Sequence, residues 1–472
     1  MSAEPLPLRG AATPAVPPAE LFAVPRPPLD AFGPAEAVRM LTIAGVLGAS
    51  VAHRIIRRAW GFGAKRANRR VAAAEGVVDG FERLGPLFVK LGQLIASSSG
   101  AFPKELSDAC LRCLDDVPPF PAELVRRTVA ADLGRPIEEL FLHFDDEPLS
   151  AASVAQVHAV VLADGREAVV KVQRPGMARR MIVDLRAALL TARLLERRSE
   201  AARIANAVGV VRDLYEVTVS ELNFLVEAEH QARIGAAVGA FGDNAGVVVP
   251  EPFWDYCGPR VLCMERLRGI PLDRFDAVRA AGADPELLIR RLVKVWLEGV
   301  AVHGLFHGDV HAGNLWLLDD GRLAMLDFGI VGTMTPPWQA LVRAMFRASA
   351  FDGDFTPVAV ALRELGLFTG QSTDDVAIGE QLAMVMGPIL SGELAEMDLK
   401  SVTSQLLDFG RGTGASGPEQ LILMGKQLGY FERYAVALAP GWRLGRDLYL
   451  LRNIFPEQVL AAAAERGLEL PS

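Results

Sequence analysis

Apolar residues return at three- and four-residue spacing through Val78, Phe81, Leu84, Phe88, Leu91 and Ile95. They belong to a helical pattern running from about Ala37 to Ala131, punctuated by Pro118, Pro119 and Pro121. After Phe144-Asp145-Asp146-Glu147-Pro148 the period shortens to two, through Val154–Leu162 and again through Ala168–Gln173. Asp164-Gly165 lies between those runs, so a β-hairpin is predicted. Residues 177 to 236 return to helical spacing, and two short strand-like runs follow, Val247–Val249 and Arg260–Met264. Beyond Gly269 the chain reads as helix to its end, interrupted by one compact polar segment from His307 to Gly332. The expected architecture is a small β-containing lobe between two helical masses, without internal repeats.

Composition narrows this further. The 472 residues are 51% hydrophobic and 22% charged, which excludes a disordered or fibrous chain. A net charge of −8 gives no global field for nucleic acid. Four cysteines are too few for a disulfide-stapled scaffold, so a reduced, cytoplasmic setting is expected. Cys110 and Cys113 form C-x-x-C within Ser107–Leu114, read as helix; without two further ligands at suitable spacing they are packed thiols rather than a zinc site. The first 36 residues hold nine prolines and read as a flexible, disordered leader. Met40 to Ala52, the most apolar early stretch, is 13 residues long, short of the roughly 20 a membrane span needs.

The polar segment carries the chemistry. Phe306-His307-Gly308-Asp309-Val310-His311-Ala312-Gly313-Asn314 is followed, 18 residues after Asp309, by Asp327-Phe328-Gly329. Phosphoryl transfer needs oxygen donors for magnesium and a separate carboxylate near the attacking oxygen. Asn314 and Asp327 are the candidate metal ligands, and Asp309 the candidate catalytic carboxylate. D-x-x-x-x-N followed by DFG on an apolar strand is the kinase arrangement. Ala168-Val169-Val170-Lys171 resembles the kinase V-A-I-K strand, whose lysine pairs nucleotide phosphates. No glycine-rich loop precedes it; Ser150-Ala151-Ala152-Ser153 stands 18 to 21 residues before Lys171. Cβ atoms there restrict positive φ, so phosphates would be held differently.

These pieces, with Lys90-Leu91-Gly92-Gln93, Asp115-Asp116-Val117-Pro118-Pro119-Phe120-Pro121 and Pro148–His158, resemble the ABC1/ADCK/UbiB family of atypical kinases from about residue 75 to at least 340. The resemblance implies an α+β, protein-kinase-like, two-lobed fold. Its parts would be a helical N-terminal extension with the K-x-G-Q motif (37–144), an N-lobe with the alanine-rich loop (145–268) and a mostly helical C-lobe (269–472). It implies ATP (or ADP) and Mg2+ as cofactors, ATPase or phosphotransferase activity, and a link to ubiquinone or other isoprenoid-lipid metabolism. Under it Lys90 and Gln93 reach over the active site, Glu221 and Glu227 are lysine partners, and Ser150, Ala151, Ala152, Ser153, Lys171 and Glu265 form the nucleotide-binding set. Pro336-Pro337 begins seven positions after Gly329 and no A-P-E follows, which leaves little room for a peptide-docking segment.

Three positions depart from the family pattern. Its E-x-D motif is Glu221-Leu222-Asn223 here, Ser150 replaces the first loop alanine, and no arginine occurs in Ala96–Gly100. Six residues apart on one helix, Glu221 and Glu227 would face different directions, and the expected pairs are Glu221 with Lys90 and Glu227 with Lys171. The competing readings are a small-molecule phosphotransferase of aminoglycoside or choline kinase type, suggested by His307-Gly308-Asp309, and a pseudokinase scaffold.

Residues 37 to 74 carry Arg39, Arg54, Arg57, Arg58, Lys65, Arg66, Arg69 and Arg70 and no acid, +8 in a chain of −8. With Leu41, Val46, Ile55, Ile56 and Trp60 interleaved, the stretch predicts peripheral attachment to an anionic membrane face. The alternative is packing on the acidic body of the same chain. Expected partners are a nucleotide, a lipid or prenyl-quinone-type molecule and the membrane surface, with no nucleic acid.

Overall fold

The computed structural model describes residues 22, 26–59, 66–97, 102–113, 119–152, 154–200, 203, 206–366, 374–391, 419–442 and 447–471. Most of the proline-rich leader, Lys65, the Asp115–Pro118 part of the family motif, and Ser153 lie outside the described residues.

Six helices come first: α1 (Pro34–Ala59), α2 (Arg66–Leu84), α3 (Pro86–Ser97), α4 (Lys104–Cys110), α5 (Ala122–Leu133) and α6 (Ile137–Leu140). Strands β1 (Phe141–Ala151), β2 (Ala155–Leu162) and β3 (Glu167–Gln173) lead into α7 (Met177–Arg198), α8 (Ala207–Ser220) and α9 (Phe224–Gly239). Then come β4 (Val247–Val248), β5 (Val261–Glu265), β6 (Gly269–Pro271), α10 (Phe275–Ala280) and α11 (Pro285–Glu298). Four short strands, β7 (Leu305–His307), β8 (Leu315–Leu318), β9 (Leu323–Met325) and β10 (Val331–Thr333), occupy the polar segment. The helices described after these are α12 (Pro336–Arg347), α13 (Thr356–Glu364), α14 (Asp375–Ser391), α15 (Glu419–Leu438) and α16 (Pro456–Arg466). The chain forms two compact units, Met1–Ala228 with Pro252–Arg266, and Glu229–Glu251 with Leu267–Ser472.

In the first unit the predicted apolar stripe is the core: Val78, Phe81, Leu84, Phe88 and Ile95 are buried together with Cys110 and Cys113. Gly85, at φ +109°, turns the chain between α2 and α3, and Pro86 starts the next helix, where its missing N–H costs nothing. The Ser107–Leu114 helix is corrected: α4 stops at Cys110, and Cys113 follows a turn in which its N–H bonds the Cys110 carbonyl.

The sheet of this unit has the antiparallel order β1-β2-β3-β5. The Asp164-Gly165 hairpin joins β2 to β3 as predicted, with the Leu162 N–H donating to the Arg166 carbonyl. β1 is a correction, because Ser150 and Ala151 are not in a loop: they pair with Val157 and Gln156. As an edge strand with three register shifts, β1 accommodates Asp145-Asp146-Glu147-Pro148, which hides its alternation.

The second unit holds the sheet β4-β9-β8-β6 and the separate pair β7-β10. Its core is built around α11, where Asp284 caps the first turn by accepting from the Glu286 and Leu287 N–H groups. Trp296, fully buried on α11, meets Phe306 and Phe431 edge-on at 5.3 and 5.2 Å.

α1 also corrects an expectation. It is 26 residues long, and Pro34–Arg58 is long and apolar enough to cross a membrane by length and composition. Its arginines are not all turned outward: Arg39 pairs with Asp184, Arg54 donates to Asp79 at 2.9 Å, and Arg58 lies 3.2 Å from Glu75. Part of the +8 is therefore balanced within the same unit.

Candidate active site

In the second unit, β7 delivers His307 and the chain turns at Gly308 into Asp309. His307 is buried and its two nitrogens are committed: Nε2–H donates to the Leu326 carbonyl at 3.0 Å, and Nδ1 accepts from the Asp309 N–H at 3.0 Å. Only a neutral ring satisfies both bonds, in line with burial pushing its pKa below the usual histidine value. The ring of Phe328, fully buried, lies 5.0 Å from that of His307. The Phe328 carbonyl in turn faces His230 Nδ1 at 3.2 Å.

Asn314 ends a 3₁₀ turn, Ala312–Asn314, that His311 caps through Nδ1. Its amide Nδ2 donates to the Asp309 carbonyl at 3.1 Å, and its own carbonyl accepts from the Leu326 N–H at 2.8 Å. The β8–β9 hairpin, with Leu315 opposite Met325, thereby sets Asn314 beside the chain entering Asp327. Asp327 adopts φ +58°, a left-handed conformation uncommon outside glycine, and its Oδ1 accepts from the Gly329 N–H at 3.2 Å. The structure thus assembles Asp309, Asn314 and Asp327 on one loop and one hairpin.

Residues no motif announced complete this loop. Lys426 on α15 places Nζ 2.9 Å from Asp309 Oδ1, while His311 Nε2 is 3.6 Å from Oδ2. Gln427 and Tyr434 bond the backbone on either side of Asp309. They lie more than a hundred residues along the chain, on a helix whose sequence carries no sign of this contact.

In the first unit, Lys171 on β3 stands opposite Val157 and Leu262. Its Nζ lies 2.7 Å from Glu227 Oε1, with only 16% and 7% of the two side chains exposed, and 5.4 Å from the ring centre of Phe224. Glu265 ends β5 opposite Ala168, partly buried.

Lys90 forms an ion pair with Glu221. Glu221 and Glu227 do not share a helix, as the sequence suggested: α8 ends at Ser220 and α9 begins at Phe224. Asn223 sits at that break, buried, and its Oδ1 accepts from the Leu225 N–H at 3.1 Å. Asparagine caps a helix as well as aspartate does, so the departure from E-x-D preserves this local role. Gln93 is exposed and donates to the Cys113 carbonyl at 3.4 Å.

Beyond β1, the Ala152 N–H closes a tight turn on the Ala155 carbonyl at 2.7 Å. Gln156, fully buried, clasps Phe120 through both its N–H and carbonyl and meets His158 at 2.8 Å. His158 Nδ1 meets the Asp145 carbonyl at 2.8 Å, and burial lowers its pKa. The Pro119-Phe120-Pro121 and Gln156-Val157-His158 pieces, distant in sequence, are thus one hydrogen-bonded structure.

An aspartate loop and an Asp-Phe-Gly turn on adjoining strands, with a strand lysine ion-paired to a helix glutamate, define a kinase-like protein of α+β class. The ABC1 atypical kinase-like domain matches residues 112–361, more than half of the chain. The chain belongs to this family. It is 36% identical over 367 residues to an uncharacterized protein of Mycobacterium tuberculosis, covering 78% of this chain and 75% of that one. An aarF domain-containing protein kinase of Arabidopsis thaliana, described as chloroplastic, is 34% identical over 78% of this chain and 72% of its own length. The probable protein kinase UbiB of Pseudomonas fluorescens is 31% identical, with 82% and 74% covered. A Mycobacterium tuberculosis protein solved with erythromycin aligns at a TM-score of 0.45 and 25% identity, over 76% of this chain and 93% of that one.

Proposed function

We propose that this chain binds a magnesium nucleotide and transfers or hydrolyses its terminal phosphoryl group at a membrane surface, in the service of isoprenoid-quinone or related lipid metabolism. The observation that supports the reading is the 2.8 Å bond from the Leu326 N–H to the Asn314 backbone carbonyl, which ties Asn314 to the residue preceding Asp327.

Magnesium takes hard oxygen donors and completes its shell with water and phosphate. Asp327 supplies a carboxylate and Asn314, its Nδ2 committed to Asp309, an amide oxygen. Among the described residues no cluster of three histidines, cysteines or acids could hold a metal ion by itself. The donor set therefore fits a cation that arrives with phosphate oxygens, whose negative charge it would neutralise when bound. Asp309 orients the acceptor oxygen and takes its proton. Lys171, held by Glu227, contacts phosphate; Ser150, Ala151, Ala152, Ser153 and Glu265 line the nucleotide; and Lys90 with Gln93 limits access from the helical extension. The UbiB name among the relatives and the prenyl-lipid link of the family support the lipid assignment.

Membrane attachment rests on α1. Val38, Leu41 and Ile56 are 65%, 70% and 54% exposed at helical spacing, with basic Arg57 beside them.

In a thermal-shift titration with Mg-ATP, Asp327→Asn should abolish the shift, while Asp309→Asn should keep it and lose turnover; an unchanged response in Asp327→Asn refutes the metal assignment. The full chain should pellet with anionic vesicles, and the triple change Val38→Glu, Leu41→Glu, Ile56→Glu should stay in the supernatant. Equal pelleting of both removes α1 as the anchor.

A further inference from the structure

α15 touches the catalytic loop at points that the loop's own sequence does not account for. Gln427, fully buried, accepts from the Val310 N–H at 2.9 Å and donates Nε2 to the Gly308 carbonyl at 2.6 Å, so one side chain brackets the backbone of Asp309. Two turns on, Tyr434 donates its hydroxyl to the Val310 carbonyl at 2.8 Å. Phe431, between them, is buried against Trp296. These contacts fix how α15 is rotated about its axis.

The residue beside Gln427 is Lys426, whose ammonium stands 2.9 Å from Asp309 Oδ1. From Asp309 to Asn314 the loop has no lysine or arginine, so the cation at its carboxylate comes from 117 residues away. About a third of the Lys426 side chain and a fifth of Asp309 remain open to solvent, within reach of a ligand. An ion pair this exposed does little for stability by itself. Its backbone, however, is anchored by a fully buried neighbour, so the ammonium is delivered to the carboxylate at a small entropic cost, as a positioned catalytic environment requires.

Building on the phosphotransfer reading above, we infer that Lys426 is the positioning residue of Asp309. Its ammonium holds the carboxylate in the orientation that meets the acceptor oxygen, a task for which the loop carries no lysine or arginine of its own, His311 standing at 3.6 Å from the other carboxylate oxygen. Nucleotide binding, assigned to Asn314, Asp327 and Lys171, does not pass through it.

The test uses the whole 472-residue chain. Lys426→Met and Lys426→Gln should lower kcat for Mg-ATP turnover by about tenfold or more while the KM for ATP stays within about twofold. Lys426→Arg, which keeps charge and donors, should recover most of the loss. In an Asp309→Asn background, Lys426→Met should not lower further the residual turnover that this variant retains, because the two act as one unit. A second readout needs no nucleotide: the pair forms in the ligand-free protein, so the melting-temperature changes of Lys426→Met and Asp309→Asn should be non-additive by the small margin that a part-exposed pair contributes, the double variant falling by slightly less than their sum. Parental kcat in Lys426→Met and Lys426→Gln, or full additivity with Asp309→Asn in both measurements, overturns the positioning role and leaves the proposed function standing. A parent chain that neither binds nor turns over Mg-ATP overturns the proposed function, and this inference with it.

Discussion

Replacing Gly92 by alanine tests why the K-x-G-Q segment needs its glycine. A Cβ at that position would lie 2.4 Å from Cys113 Sγ, 3.3 Å from Cys113 Cβ and 3.4 Å from Phe81 Cδ2. Two effects oppose each other. In the interior of α3, alanine is favoured over glycine by about 1 kcal/mol. Forcing a methyl into a packed core costs about 1–3 kcal/mol, and Cys113 is buried in the core of this unit. The net expectation for Gly92→Ala is a loss of roughly 1 kcal/mol, up to about 2. Cys113→Ala removes the sulfur that causes the clash and by itself costs about 1 kcal/mol for the small void. Combined, the clash is gone and the helix gain remains. The double variant should therefore be at least as stable as Cys113→Ala alone, with a coupling of roughly 2 kcal/mol between the sites. Urea unfolding of the parent, the two single variants and the double variant measures all the terms. Simple addition of the two single losses, or a Gly92→Ala chain as stable as the parent, would refute the reasoning.

Two further expectations follow from buried charge. Lys171→Met removes the cation 2.7 Å from Glu227, whose side chain is only 7% exposed, and should lower stability by about 3 kcal/mol, whereas Lys171→Met with Glu227→Leu should recover much of it; urea midpoints decide, and equal losses would rule out the pairing term. His158 and His307 are buried and His230 half-buried, all with pKa values below the ordinary 6.5, desolvation being the main cause in each. Below about 6.5 the unfolded chain binds protons that the folded chain does not, so their contribution is complete above that pH and is lost as pH falls toward the depressed folded values, by about 1.4 kcal/mol per histidine per pH unit. Urea midpoints should drop between pH 7.5 and 5.5, and a flat profile would contradict the buried neutral rings.

Much of the chain was legible in its order of residues. Val78, Phe81 and Leu84 mark a buried face of α2, and Phe88 with Ile95 one of α3, because a helix returns every three to four residues to the same side. The Asp164-Gly165 hairpin and the spacing of Asp309, Asn314 and Asp327 are equally local: a short loop and one hairpin hold them, so linear distance nearly determines spatial distance. β1 was not legible, since an edge strand needs only one partner and its acids, proline and register shifts erase the period of two. Nor was the break at Glu221–Asn223, where the hydrogen bond of a capping asparagine, rather than any periodicity, separates two helices. Only the tertiary structure decided which charges meet. Composition counts Arg39 and Arg54 as part of a basic stretch, but Asp184 and Asp79 neutralise them because α1 packs on α2 and α7. The cation at Asp309 belongs to the same class: no local pattern points from the catalytic loop to Lys426, because that contact arises from the packing of α15 on the loop, and packing joins residues that the chain itself keeps far apart.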